Sequence, residues 1–324
     1  MYYKSQEKGF NFKLMAVIDG KWCRMECDQM PYADLSFGIK MEKLLHKEIS
    51  QYQEIIVFKS QFFGNVLVLD GTLQVAEFDE FVYHEMMANL PLNCHSDPKT
   101  VLVVGGGDGG IARELLKHHS VEKVVVCEID EKVVDVCKKY FPKLSESFSD
   151  VRTELVIGDG IEYIKDQSGA FDVIITDPHD NTGAAKGLHE EGYYNSMKRA
   201  LKPNGLICSE GKDMYFELPV VKRLMTFSRK IFPKVAYGYA VTPSYAPGHI
   251  GFLLCGTNPN TSFKEPLKTL TENEIKERKL KYYSSDIHRA CFILPNHIRE
   301  LQYLRTVQFE ARQKELYPDG TLQQ

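Results

Sequence analysis

Four short segments carry residues whose types and spacing could do chemistry. Gly105-Gly106-Gly107-Asp108-Gly109-Gly110 satisfies G-x-G-x-x-G at positions 105, 107 and 110. Glycines in such a run let the backbone turn sharply and approach a ligand closely. Glu128 closes the next apolar run, where a carboxylate can accept both hydroxyls of a ribose. Gly158-Asp159-Gly160 and Asp177-Pro178-His179-Asp180 close the two runs after that. Any one of these acids is explained as a helix N-cap; five of them after consecutive apolar runs call for a shared site, with Asp159 serving in both ways. Asp108 inside the glycine loop sets the ligand's charge. A carboxylate there repels a pyrophosphate and attracts an ammonium. The pattern points to a nucleoside with a cationic tail and away from NAD-dependent hydride transfer.

Such residues need elements that bring them together. From residue 100 the chain alternates apolar runs with helical stretches: 100–104, then a helix to about 118; 123–127, then 131–140; 152–157, then a short helix after Gly160; 171–176, then a helix through about 201; 206–209, then a helix to 231. Alternation of this kind predicts a parallel sheet covered on both faces, α/β and Rossmann-like. In open sheets of this class ligands bind over the carboxyl ends of the strands, so Asp108, Glu128, Asp159, Asp177 and Asp180 should converge on one crevice. Residues 234–241 and 249–255, joined by a Pro/Gly turn at 242–248, predict an antiparallel hairpin at the sheet edge. Upstream, the runs 54–59, 66–69 and 73–77 are separated by Gly64-Asn65 and Asp70-Gly71, and Asp-Gly between such runs is a strong hairpin signal. A helix over 79–89 should end at Pro91. The resulting division is a small N-terminal β-rich domain (1–85), a Rossmann-like catalytic domain (86–295) and a C-terminal helical extension (296–324). Ile298, Leu301, Leu304 and Phe309 form a sparse apolar stripe on that extension, read as packing against the body or a partner subunit.

The chain has 324 residues and a net charge of −4, with 43% hydrophobic and 26% charged residues. That charge argues against a nucleic-acid binder, which works by neutralising phosphates. Residues 1–20 lack the apolar stretch of a signal peptide, and no apolar run approaches a membrane span. The eight cysteines form no Cys-x-x-Cys pair. Cys127, Cys208 and Cys255 sit in apolar runs, as free core thiols do. The expectation is reduced thiols in a cytoplasmic protein. Cys23 and Cys27 have no His or Cys nearby to complete a metal site, so no metal is expected.

Further segments complete a recognisable set: Tyr52-Gln53, the run from Gly64 to Gly71, Leu73-Gln74, Asp79-Glu80-Phe81, Tyr83-His84-Glu85-Met86, Cys127-Glu128-Ile129-Asp130, Ser244-Tyr245, Gly248 to Phe252, Lys281-Tyr282-Tyr283 and His288-Arg289-Ala290. With the glycine loop and Gly158-Asp159-Gly160, they make the chain resemble the spermidine synthases, polyamine aminopropyltransferases, from about Lys21 to Leu294. The resemblance implies a methyltransferase-type doubly wound sheet and transfer of an aminopropyl group from decarboxylated S-adenosylmethionine to a diamine. That donor is a co-substrate, and no cofactor is implied. By matching position, Gln53, Gln74, His84, Gly105, Gly107, Asp108, Glu128, Asp159 and Gly160 would hold the donor. Tyr83 and Asp180 would address the attacking amine, and Asp177, Glu210 and Tyr245 would line the acceptor channel. The partners implied are a diamine and a nucleoside sulfonium, and the default assembly is a homodimer.

The departures from the family pattern cluster near the acceptor. Where the family usually has Asp-Ser-Ser-Asp-Pro, this chain has Asp177-Pro178-His179-Asp180-Asn181. Glu210 stands where a glutamine is usual and should add an anion facing the channel. Met30 before Pro31 stands where a tryptophan is often found. Putrescine is the first expectation for the acceptor. A different polyamine acceptor, an S-adenosylmethionine-dependent amine N-methyltransferase and a non-catalytic nucleoside-binding paralogue stay open, although retention of Asp108, Asp177 and Asp180 weighs against the last two.

Overall fold

A computed structural model describes residues 14–27, 36–178 and 187–303. His179, Asp180 and Asn181, Met30 and Pro31, and the stripe residues Leu304 and Phe309 lie outside the described residues.

The N-terminal part consists of two antiparallel sheets. Strands β1 (Leu14–Asp19), β2 (Trp22–Cys27) and β3 (Ser36–Lys40) form one, in that order. Strands β4 (Lys43–Ile49), β5 (Glu54–Ser60), β6 (Gly64–Leu69) and β7 (Thr72–Ala76) form a meander. The Asp-Gly signal is realised as a two-residue hairpin: Leu69 pairs with Thr72, and Asp70 and Gly71 have φ of 44° and 88°. Positive φ at both central residues matches the right-handed strand twist. The other expected turn is displaced. Gly64 and Asn65 belong to β6, paired with Ser60 and Lys59, and the chain reverses at residues 61–63. Gly64, with φ of 72°, closes that turn, and a Cβ there would lie 2.6 Å from a Glu77 carboxylate oxygen.

The second sheet system has seven strands in the order β10-β9-β8-β11-β12-β14-β13. These are β8 (Thr100–Gly105), β9 (Lys123–Glu128), β10 (Thr153–Ile157), β11 (Phe171–Asp177), β12 (Leu201–Glu210), β13 (Lys234–Val241) and β14 (His249–Gly256). The first five are parallel, and β14 runs antiparallel to both β12 and β13. The expected edge hairpin is therefore present, with β13 outermost.

The middle of each central strand is apolar because both of its faces are covered. Val101, Val103, Val124, Val126, Val173 and Ile175 join one core. Their alternates Leu102, Val104, Val125, Cys127 and Ile174 join the other. Helices α1 (Glu80–Leu92) and α2 (Gly110–Leu116) cover the first face. Helices α6 (Glu191–Ala200) and α7 (Leu218–Ile231) cover the second. Between them in sequence lie α3 (Glu131–Tyr140), α4 (Pro142–Ser145) and α5 (Gly160–Lys165); α8 (Glu272–Glu277), α9 (Ser285–Ala290) and α10 (Asn296–Tyr303) follow the sheet. Ile298 is buried in the second core, so the start of the terminal helix packs on the body.

Helix α1 runs past the expected stop. Pro91 lies in its last turn, and Asn93 N–H still reaches Asn89 O at 3.0 Å, so the proline removes one donor without ending the helix. The division expected at residue 85 falls inside this helix. Among the described residues no helix is long and apolar enough to cross a membrane.

Candidate active site

The glycine loop leaves β8 in a shape that requires its glycines. Gly105 has φ of 83°, and a Cβ there would lie 2.1 Å from the backbone oxygen of Asp177 on the neighbouring strand. A Cβ on Gly107 would lie 2.8 Å from the Glu128 side chain, and one on Gly110 would lie 2.3 Å from the His84 ring. The loop is thus pressed between β11, β9 and α1. Gly107 N–H and Asp130 N–H donate to the two Glu128 carboxylate oxygens at 3.1 and 2.9 Å. Burial still dominates and pushes Glu128 up to about 7.

The acids predicted to converge do so where they are described. Asp108, Glu128, Asp159 and Asp177, at or just beyond the carboxyl ends of β8, β9, β10 and β11, line one cleft. Gln53, Gln74, Gly105, Gly107 and Gly160 line it as well. Asp159 also caps α5 by accepting from Ile161 N–H at 2.8 Å, so it combines both roles. Gly160 is required by close packing, since a Cβ would meet Val104 at 2.3 Å. Gln53 is held by Asp130, its amide donating at 2.9 Å, and Ser50 donates to the same oxygen at 2.6 Å. Asp130 stood in a quoted motif without a role of its own, and Ser50 gave no local signal, because its contact with Gln53 and Asp130 appears only in the fold.

A second cavity adjoins the first and shares Gln74, Asp108, Asp177 and Pro178 with it. Its walls add Tyr83, His84, Glu210, Lys212, Asp213, Glu217, Tyr245 and His249. Tyr83 donates to Asp177 Oδ1 at 2.6 Å, and Tyr245 donates to the Gln74 backbone oxygen at 2.7 Å. The two tyrosine rings meet edge to face, with centroids 5.9 Å apart. Burial, then the Asp108 charge, push Asp177 up to about 7, against the Tyr83 hydrogen bond.

His84 lines this second cavity and bears on the cleft through Asp108. Its Nε2 lies 3.5 Å from Asp108 Oδ1, and its Nδ1 lies 2.7 Å from Glu80 Oε2. Burial alone would lower its pKa; Asp108 and Glu80 reverse that and raise it to about 10, so the ring is an imidazolium. Glu80 also takes a two-point contact from Arg113, at 2.8 and 3.2 Å, and is held down at about 2 despite burial. Arg113 reaches Glu114 at 2.8 Å, and Lys117 completes the chain at 2.6 Å. An alternating row of charges therefore runs from Asp108 toward the surface. Glu80, His84 and Asp108 stood in quoted motifs; Arg113, Glu114 and Lys117 gave no local signal.

Glu210 differs from expectation. It lines the second cavity but is no added free anion: Lys212 Nζ lies 2.9 Å from its Oε2, and the lysine side chain is only 2% exposed. The rule that drew attention to acids at the ends of parallel strands applies equally to Lys212 and Asp213, just past β12.

The matched families agree with this geometry. Residues 80–265 match the model of the spermine/spermidine synthase domain, and residues 21–77 match that of the spermidine synthase tetramerisation domain. The chain is 46% identical over 260 residues to a spermidine synthase of Dictyostelium discoideum, covering 80% of this chain and 90% of the relative. It is 44% identical over 267 residues to a spermine synthase of Arabidopsis thaliana, covering 81% and 74%. A crystal structure of a spermidine synthase in complex with the transition state analogue AdoDATO superposes with a TM-score of 0.77 at 34% identity, covering 83% of this chain and 92% of that one. The Thermotoga maritima spermidine synthase gives a TM-score of 0.75 at 32% identity, covering 83% and 90%.

Proposed function

The chain belongs to the spermidine synthase family of aminopropyltransferases, and from that premise we propose how its two joined cavities divide the reaction. The first cleft takes decarboxylated S-adenosylmethionine, with Glu128 on the ribose, Gln53, Gln74, Asp159 and Gly160 around the nucleoside, and Asp108 on the aminopropyl ammonium. The second cavity takes a diamine, putrescine, between Tyr83, Asp177, Glu210 and Tyr245. The observation that carries this reading is the junction: Asp108 and Asp177 stand in the walls of both cavities. A cationic donor and a cationic acceptor can therefore meet there without facing each other unscreened.

The chemistry is a displacement. The amine nitrogen forms a bond to the carbon attached to the sulfonium, the C–S bond breaks, its electron pair stays on sulfur, and methylthioadenosine leaves. A neutral thioether is a good leaving group, so the step needs no acid. The amine must first lose a proton. With a lysine-like pKa of ~10.4, about one amine in a thousand is neutral at pH 7.4, a handicap of roughly 4 kcal/mol. Asp180 takes or relays that proton, and Tyr83 fixes the lone pair's direction. Alignment of two bound substrates supplies up to ~7–11 kcal/mol through effective molarity.

The test is a product assay with the decarboxylated donor and a panel of diamines and triamines. Spermidine and methylthioadenosine from putrescine are expected. Product from a triamine alone would reassign the acceptor, a reading to which the identity with a spermine synthase gives some weight. The match of residues 21–77 to a tetramerisation domain supports self-association. We take a cytoplasmic homodimer as its form, and sedimentation of the full chain decides between two and four copies.

A further inference from the structure

Lys212 is an unusual residue to find in the wall of a cavity that receives cations. It follows β12 by two residues and has φ of 62°, a left-handed backbone that non-glycine residues seldom adopt. That turn helps to point its side chain inward, where it is 2% exposed, and lysine is almost never so buried unless paired. Its partner is Glu210, at 2.9 Å. The backbone around it has no room to adjust. A Cβ on Gly211 would lie 2.7 Å from Phe252 N, and one on Gly251 would lie 2.4 Å from the Lys212 oxygen. That same oxygen accepts from the Tyr237 hydroxyl at 2.8 Å.

The acids of this cavity fall into two kinds. Asp177 accepts from a neutral tyrosine hydroxyl. Glu210 faces the Lys212 cation, and the next acid, Asp213, faces His249 Nε2 at 2.5 Å and accepts from Tyr215 N–H at 2.8 Å. Glu210 lines the same cavity as Asp177 and Asp213. An incoming amine therefore meets an available carboxylate at Asp177, and a carboxylate already matched with a cation at Glu210.

We propose that Lys212 is a specificity-determining residue, whose ammonium stands on Glu210 where a substrate's distal ammonium would otherwise bind. The inference rests on the reading of this cavity as the acceptor site. The fixed cation weakens the hold on the distal end of a diamine and repels the third charge of a triamine. The cavity is thereby matched to short dications, and the carboxylate at position 210 does not extend its reach.

Steady-state kinetics on the full-length enzyme test this, with putrescine and spermidine as acceptors and the decarboxylated donor saturating. Lys212→Gln should lower KM for putrescine and raise kcat/KM for spermidine relative to putrescine by roughly tenfold, the scale of one charge-assisted hydrogen bond. Glu210→Gln should raise KM for putrescine, because the lysine is left uncompensated, and the double variant should fall between the two. Donor binding by calorimetry shows whether each variant is folded. If Lys212→Gln proves unfolded, Lys212→Met should likewise lower KM for putrescine, and Glu210→Gln should still raise it. A KM for putrescine that rises, or a spermidine-to-putrescine ratio that stays put, in a Lys212 variant that binds donor normally overturns the inference and leaves the function intact. Absence of transfer to either amine by the wild type overturns the function itself and this inference with it.

Discussion

Tyr83 gives its hydroxyl hydrogen to Asp177 across 2.6 Å, joining α1 to the end of β11 in the wall shared by the two cavities. Burial and the Asp108 charge push the carboxyl up to about 7, against the tyrosine's hydrogen bond and the His84 charge. Asp177 must be ionised to hold an ammonium, so kcat/KM for the acceptor should rise with pH through a limb near 7. Tyr83→Phe removes a bond that favours the ionised form. The limb should move to higher pH by about one unit, the scale of one such hydrogen bond. The amine's own titration is common to both enzymes and cancels in the comparison. A limb that stays in place, or moves down, would separate Asp177 from acceptor binding.

Donor choice should follow Asp108. The His84 imidazolium offsets part of its charge, but Glu80 in turn offsets His84, so the loop still presents a net anion to the cleft. Calorimetry should find the decarboxylated donor bound well ahead of intact S-adenosylmethionine, whose carboxylate would face Asp108. Asp108→Asn keeps the size and removes the charge. Affinity for the decarboxylated donor should fall by ~10-fold or more, and the preference should largely vanish. Equal affinity of the wild type for both donors would sink the idea.

Much of this architecture was legible because its signals are local. Strand and helix alternation gave the parallel sheet, Asp70-Gly71 gave the hairpin, and the position of acids after strands gave the crevice. The missed features depend on contacts between distant residues. Glu85 stood in one motif and Lys281-Tyr282-Tyr283 in another, with no sequence reason to connect them. In the fold the Glu85 carboxylate accepts from the backbone N–H of Lys281, Tyr282 and Tyr283 at 2.8, 2.9 and 2.8 Å. Asp79 likewise accepts from Ser244 N–H at 2.8 Å, tying the start of α1 to the turn between β13 and β14. These acids hold segments together and have no need of a ligand. Glu210 was misjudged for the same reason: a charge can be counted from sequence, but its neutralisation by Lys212 depends on an inward turn set by the backbone.

The charge row behind Asp108 makes Glu80 a positioning residue. Glu80→Gln should loosen His84 and release Arg113, at a cost of ~3–5 kcal/mol for a broken buried pair. His84 gives this a pH signature. Its folded pKa is raised from 6.5 to about 10, so the stability it contributes is fully present below 6.5 and is lost as pH rises through 10. The gap in melting temperature between wild type and Glu80→Gln should therefore narrow from pH 7 to pH 10. A gap that is constant with pH would mean that Glu80 acts through Arg113 alone.

Gly110 and Gly158 allow the role of close approach in the donor site to be isolated. Both stand in glycine-containing motifs after parallel strands, and neither has a positive φ. A Cβ on Gly158 would meet nothing within 4 Å, whereas one on Gly110 would lie 2.3 Å from His84 Cε1 and Nδ1. Gly110 is also the first residue of α2, where alanine is by propensity the better helix former, by up to ~1 kcal/mol. If backbone entropy governed both sites, both alanine variants would be neutral or slightly stabilising. Contact predicts a split. Gly158→Ala should melt within about 0.5 kcal/mol of the wild type, as an open surface substitution does. Gly110→Ala should lose ~1–3 kcal/mol through overpacking, and should weaken donor binding as well, because the displaced His84 carries Asp108 with it. Thermal melts together with donor calorimetry on the two variants decide the matter. Donor affinity unchanged in Gly110→Ala would show that the imidazolium does not position the Asp108 carboxylate.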